Sequence, residues 1–260
     1  MALSKKQKGE IKDLLVKKID NKLKRYGRET TSMPFLARLV QDSEKIAAYS
    51  FIHSIATSLG MSIYEEVSCI LVRDLVTDCS RNYGVGGSIS SDQKSTISQI
   101  VNKLREGERR PNIKKEVAEV LKASKKGAVF QKSGNIADFF MKRDGIEYFF
   151  EIKTVKPNID VFEKSKTKLL EWVARKYSPV RVFLAFPYNP YYPEPYTRFT
   201  QSNLMDHPND FLIGEEYWNL LGGENTFAEL LSTFDEVGKD YKARLQAKFQ
   251  EIAKSKIDSY

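Results

Sequence analysis

NIADFFMKRDGIEYFFEIKTVKPN, residues 135–158, reads as one β-hairpin. The first strand is expected over Asn135–Lys142 and the second over Ile146–Val155, with Arg143, Asp144 and Gly145 supplying the turn. An Asp-Gly pair tolerates the positive φ values that a tight hairpin turn requires. Side chains alternate between strand faces. Tyr148, Phe150, Ile152 and Thr154 therefore point one way, and Glu147, Phe149, Glu151 and Lys153 the other. Glu151 and Lys153 become neighbours on one face, and Asp138 reaches them from the partner strand. Two carboxylates converging beside an ammonium are costly on a sheet this rich in aromatic residues, unless something binds there.

Downstream, Ile159–Tyr177 has the spacing of an amphipathic helix, with Phe162, Leu169, Leu170, Trp172 and Val173 on its apolar side. RVFLAF, residues 181–186, is a short apolar run between Pro179 and Pro187 and reads as a buried strand. Strand, helix and strand of these lengths suggest a crossover unit. A proline- and tyrosine-rich loop follows at residues 187–201, and a long helix is expected from about 225 to 256. Upstream, the first 125 or so residues read as helical. Ile11, Leu14, Leu15, Ile19 and Leu23 recur at helical spacing. Pro34 opens a second helix with Leu36, Leu39, Val40, Phe51 and Ile55 on its buried side, and Ile63, Val67, Ile70, Leu71 and Leu75 mark a third. Residues 1–125 are expected to form a mainly helical N-terminal part, and 126–260 the core with its loop and last helix, with one continuous domain as the alternative.

The chain has 260 residues, a net charge of +8 and 41% hydrophobic residues, enough for a full core. No apolar run approaches the roughly 18–20 residues that span a bilayer, and the N-terminus lacks the apolar region of a secretory signal. The expectation is a cytoplasmic protein without membrane contact. Cys69 and Cys79 both fall in a stretch read as helical, with no metal-type spacing around them, and are expected to be free thiols. The positive charge is localised. Residues 1–28 carry ten Lys and Arg against three acidic residues, and residues 101–132 carry ten against four. The second block leads straight into the hairpin. Clustered cations beside a carboxylate site suit a polyanion, because phosphates are attracted from a distance. The alternative is a solvated helix face.

A carboxylate pair beside a lysine suits phosphodiester hydrolysis. A bound Mg2+ polarises the phosphate and lowers the pKa of a coordinated water. Mg2+ prefers oxygen ligands and often uses only one or two protein carboxylates. Asp138 and Glu151 fill that role, with the main-chain carbonyl of Ile152 as a further ligand. Lys153 is expected to hold the attacking water or to stabilise charge on the phosphate.

Asp138, a twelve-residue gap and then Glu151-Ile152-Lys153 resemble the D…ExK signature of the PD-(D/E)xK nuclease superfamily. Ala137 stands where the family's name has proline. EIKTVKPN at 151–158, the loop near 187–199 and DFLIGEEYWNLLGG at 210–223 resemble one group of bacterial type II restriction endonucleases. The resemblance implies an α/β (mixed α+β) fold with a restriction-endonuclease-like core, a mixed β-sheet flanked by helices. It also implies Mg2+-dependent double-strand cleavage at a short palindrome of the GGNCC kind, leaving 5′-phosphates. The implied partners are double-stranded DNA, a second copy in a homodimer and a cognate DNA methyltransferase that forms no stable complex. The helical residues 1–125 would then serve DNA binding and dimerisation.

Members of that superfamily often take another acidic residue from an early helix. Glu65 and Glu66 are the best candidates here, with Glu116 and Glu119 weaker; a solvated surface is the alternative for each. Lys132, Ser133 and Asn135 precede the Asp138 strand and could grip the scissile phosphate, as could Lys156 and Asn158 beyond the second strand. An ordinary turn is the other reading. Arg pairs bidentately with guanine, and Asn or Gln with adenine, so Asn189, Tyr191, Arg198 and Gln201 are candidates for base readout. Two isolated histidines, His53 and His207, fit poorly with nucleases that need several. GVGG at 84–87 lacks the lysine-serine pair of a phosphate loop. A structure-selective repair nuclease or junction resolvase, and a non-catalytic DNA-binding protein, are the competing readings.

Overall fold

The computed structural model describes residues 3–26, 34–153, 158–196 and 203–257. Two compact units emerge, Met1–Val67 together with Ala228–Tyr260, and Ser68–Phe227. The division expected at residue 125 falls inside the second unit.

The first unit is helical, built on α1 (Lys5–Arg25), α2 (Pro34–Val40), α3 (Ser43–Ser58), a π-helical turn (Leu59–Ile63), the start of α4 (Tyr64–Val72) and most of a long C-terminal helix (Thr226–Ile257). Ser4 and Gln7 form a reciprocal capping box at the start of α1. The single helix expected from Pro34 is two. Gln41 turns left-handed at φ 53°, and the Asp42 carboxylate accepts from the Lys45 amide at 3.0 Å, starting α3 afresh. The break leaves Leu39 82% exposed, where periodicity put it on the buried side. Phe51 anchors the unit's core against Tyr26 and Phe249, with ring centroids 4.8 and 5.7 Å away. Part of the first basic block is neutralised within the unit, by the Lys8–Glu229 and Lys12–Glu236 pairs, while Asp20 of the same block pairs with Arg244.

The second unit carries a five-stranded mixed sheet in the order β1 (Asp78–Gly84), β2 (Ile136–Arg143), β3 (Ile146–Ile152), β4 (Arg181–Phe186) and β5 (Phe211–Ile213). The hairpin is β2–β3, with Phe140 opposite Phe149. Its turn has φ of 52° at Asp144 and 78° at Gly145, positive at both central positions as a type I′ turn requires. β3 runs parallel to β4, and β4 parallel to β5. The crossover between β3 and β4 includes α7 (Ile159–Lys176), capped by Asn158. One face of the sheet packs on α7, α5 (Ser91–Arg105) and α6 (Ile113–Lys122) through Phe140, Phe149, Trp172, Leu104 and Val120. Phe139, Phe150 and Phe183 lie on the other face, where the Tyr217 ring of α8 (Glu215–Gly222) meets Phe150 edge-on. The long C-terminal helix is α9.

β1 corrects the helical reading of residues up to 125. Cys69 lies on α4 and Cys79 on this strand, and both thiols are free. The loop after β1 presses on α7. At Gly87, φ 97°, a Cβ would sit 2.2 Å from the Arg175 carbonyl oxygen, so only glycine fits. Among the described residues, no helix is long and apolar enough to cross a membrane.

Candidate active site

The hairpin ladder ends at Phe139 opposite Phe150. One step further in the same register, Asp138 faces Glu151, and the strands stop exchanging main-chain bonds. Asp138 takes over the next pairing, its Oδ2 accepting from the Ile152 amide at 2.7 Å. Lys153 leaves β3 by donating its own amide to the Ala185 carbonyl of β4 at 3.0 Å. Its ammonium folds back, contacting Glu151 Oε1 and lying 3.9 Å from Asp138 Oδ2 and 3.4 Å from the Ile152 carbonyl. Asp138, Glu151, the Ile152 carbonyl and Lys153 therefore share one small volume at the open end of the hairpin.

Access is graded across this cluster. The Glu151 side chain is 7% exposed, Asp138 24% and Lys153 33%. Burial pushes the Asp138 carboxyl above its ordinary range, and the neighbouring Glu151 charge adds to the rise. The Ile152 amide, Lys153 and Lys168 pull the other way. A carboxylate pair held this close invites a cation. Among the described residues there is no group of three or more His, Cys, Asp or Glu side chains placed to hold a metal ion. The donor set is two carboxylates and one main-chain carbonyl. It matches a hard divalent ion such as Mg2+, which keeps several waters and needs few protein ligands.

Periodicity did not reveal what α7 contributes. Lys168 reaches from this helix to Glu151 Oε2, so both oxygens of that carboxylate are held by lysines. Lys168 also lies 5.3 Å from the Trp172 ring. The Trp172 indole donates to the Gly134 carbonyl at 2.9 Å, and Arg175 to the Ser133 carbonyl at 2.7 Å. One side of α7 thus holds both the Glu151 strand and the loop that leads into the Asp138 strand. Asn82 adds a second local feature. It sits opposite Asp138 in the β1–β2 register, and its left-handed φ of 49° interrupts that ladder.

The other sequence candidates have varied surroundings. Lys132 is exposed, Ser133 is held through its carbonyl, and the Asn135 carbonyl accepts from the Val85 amide at 2.7 Å. Asn158 spends its side chain as the α7 cap, accepting from Val161 at 3.1 Å. The Asn189 amide is engaged within its own loop, donating to the Glu194 carbonyl at 2.7 Å and accepting from Tyr191 at 2.9 Å. Tyr191 packs on the core beside Tyr196, ring centroids 5.8 Å apart. Lys156, Arg198 and Gln201 lie outside the described residues. Glu65 and Glu66 belong to the first unit, where Glu65 is buried and Glu66 pairs with Lys18 at 2.9 Å. Glu119 forms two 3.0 Å bonds with Arg109. Glu116 is fully buried against Lys166, which also binds Asp210. In the second basic block, Lys103, Lys114, Lys122, Lys126 and Lys132 remain exposed.

The mixed sheet flanked by helices carries an acidic pair and a lysine at the end of its hairpin. Sequence comparison supplies the family. The profile described as "Type II restriction endonuclease, HinfI" matches residues 3–238. The chain is similar to the type II restriction enzyme HgiEI of Herpetosiphon aurantiacus, 28% identical over 238 residues, which cover 88% of this chain and 86% of that one. It is also similar to HgiBI of the same organism, 29% identical over 83% of this chain and 80% of the relative. MjaII of Methanocaldococcus jannaschii is 30% identical over 74% of this chain and 55% of its own length. No solved structure matches the chain. The chain belongs to the HinfI family of type II restriction endonucleases. It is accordingly a nuclease whose substrate is double-stranded DNA.

Proposed function

We propose that Asp138, Glu151 and Lys153 form the catalytic centre of a PD-(D/E)xK nuclease. In this reading the protein uses Mg2+ to cut both strands of a short palindrome of the GGNCC kind and leaves 5′-phosphates. The observation that carries the reading is the convergence of Asp138, Glu151, the Ile152 carbonyl and Lys153 where the hairpin opens. Asp138 and Glu151 would hold the ion, with the Ile152 carbonyl as a further donor. The bound ion would supply Lewis acidity toward the phosphate and a water of lowered pKa. Lys153 would orient the attacking water or take up charge on the phosphate oxygens. The Ile152 amide holds Asp138 in place from behind.

Lys132, Ser133 and Asn135 lie on the approach to the Asp138 strand, and we assign them with Lys156 and Asn158 to phosphate contact. Asn189, Tyr191, Arg198 and Gln201 are assigned to recognition. Palindromic DNA is matched by twofold symmetry, so a homodimer acting in the cytoplasm is the proposed working form, with residues 1–125 serving DNA binding and dimerisation. A cognate methyltransferase protecting host DNA is its proposed functional partner.

Plasmid DNA incubated with the protein and Mg2+ tests this reading. Discrete fragments whose sequenced ends share one palindrome are expected. Cutting confined to branched or flapped DNA would transfer the protein to structure-selective repair, and absence of scission with any divalent metal would end the catalytic assignment.

A further inference from the structure

Lys168 plays no part in the D…ExK pattern, yet it holds one of the two oxygens of Glu151. It comes from a different element, 17 residues further along the chain. Its side chain is 23% exposed, against 7% for Glu151. Its ammonium lies beside Trp172, which is itself pinned to the Gly134 carbonyl. With Lys153 on the other oxygen, the cluster holds two carboxylates and two ammoniums, a neutral set. A divalent ion approaching Asp138 and Glu151 must displace an ammonium from Glu151 and then stand beside it, which Coulomb repulsion opposes. A phosphodiester arriving at the same place offers that ammonium new acceptor oxygens.

We infer that Lys168 is a positioning residue that competes with the divalent ion for Glu151 and releases it to DNA phosphate, so that ion and DNA bind cooperatively. The inference rests on the proposed metal site. Lys153 follows Glu151 by two residues, just past β3, and belongs to the catalytic set, so Lys168 is the ammonium that can be changed separately. Linkage makes the effect reciprocal: DNA tightens ion binding by the factor with which the ion tightens DNA binding.

Free Mn2+ measured by electron paramagnetic resonance, with the full-length protein, tests this without any cleavage. A phosphorothioate duplex carrying the mapped cleavage site keeps the phosphate charge while resisting hydrolysis. Wild-type protein is expected to bind Mn2+ about tenfold more tightly with the duplex than without it, the order of one charge pair in a partly solvated site. Lys168→Gln should bind Mn2+ about tenfold more tightly than wild type in the absence of DNA, and should gain little from the duplex. Lys168→Arg keeps the charge and should retain the wild-type coupling. Wild-type Mn2+ affinity and coupling in Lys168→Gln, or weaker Mn2+ binding in it, overturns the role of Lys168 while leaving the metal site intact. Unchanged Mn2+ binding in Glu151→Gln overturns the metal site beneath it.

Discussion

Lys166 and Lys168 stand two residues apart on α7, and each binds carboxylates, yet their surroundings differ completely. Lys166 lies 2.5 Å from Glu116 and 2.5 Å from Asp210, and all three side chains are 0% exposed. Lys168 binds Glu151 in a cluster whose members are 7 to 33% exposed. The sealed set ties α6 and α7 to the segment entering β5, where the Asp210 carbonyl also accepts from Leu184 at 2.8 Å. Burial and the neighbouring Glu116 charge drive the Asp210 carboxyl upward, and Lys166 and the Asp206 amide oppose the shift. The same residue types therefore do two jobs. Where water and ligands are excluded, the ion pairs are structural; where one edge stays open, they can be exchanged for a ligand.

The largest effect that separates the two is on stability. Lys166→Met leaves two buried carboxylates without their cation, and urea denaturation should show a loss of about 3–5 kcal/mol. Adding Glu116→Gln and Asp210→Asn should recover most of it, because removing all the charges removes the uncompensated burial. A single-variant loss below about 1 kcal/mol, the scale of an exposed pair, would erase the distinction between the clusters.

The open cluster should respond in the opposite sense. Glu151→Gln or Lys153→Ala should lower cleavage on the order of 10²–10³-fold, the scale of removing one group that stabilises transition-state charge. DNA binding, followed by gel mobility shift, should persist in both. Full cleavage by either variant at saturating Mg2+ would remove the catalytic assignment.

A smaller effect concerns pH. The folded Asp138 carboxyl titrates above its unfolded value because of burial and Glu151. Its protonated form is therefore favoured by folding. That contribution is fully present below the unfolded pKa and is lost as pH rises through the folded one. Asp138→Asn keeps an acceptor for the Ile152 amide and removes the charge. It should melt higher than wild type at neutral pH and flatten the fall in stability across the acidic range, while losing cleavage. A lower melting temperature at neutral pH would contradict the burial argument. The smallest effect lies at the thiols. Burial pushes the Cys69 thiol up to about 12, so iodoacetamide at pH 8 should modify Cys79 first, read by peptide mass spectrometry, with cleavage unaffected.

The hairpin was legible because its turn and its aromatic alternation are both local signals. Asp144 and Gly145 mark the reversal, and RVFLAF needs no partner to look buried. β1 was not legible. DCSRNYG shows no apolar alternation, and its strand character comes from pairing with β2. β5 spans only three residues, Phe211–Ile213, and is defined by its pairing with β4. The break at Gln41 turned on one left-handed residue followed by a capping aspartate. In the site, Asp138, Glu151 and Lys153 could be brought together on paper because one hairpin carries them all. Lys168 could not, since helical spacing tells which residues share a face but not which strand lies beneath it. Glu116 looked as available as any surface glutamate, and its burial depends on Lys166 and Asp210 arriving from distant parts of the chain.

The strand order β1-β2-β3-β4-β5 follows the chain itself. Each new strand adds beside the one made before it, and none must wait for a distant later segment to fill a gap in the sheet. Such a sheet can grow outward from its hairpin during synthesis. The acidic end of that hairpin is complete only when the crossover helix docks, so a nascent chain halted before α7 would carry Asp138 and Glu151 without Lys168, the residue that holds Glu151 from across the fold.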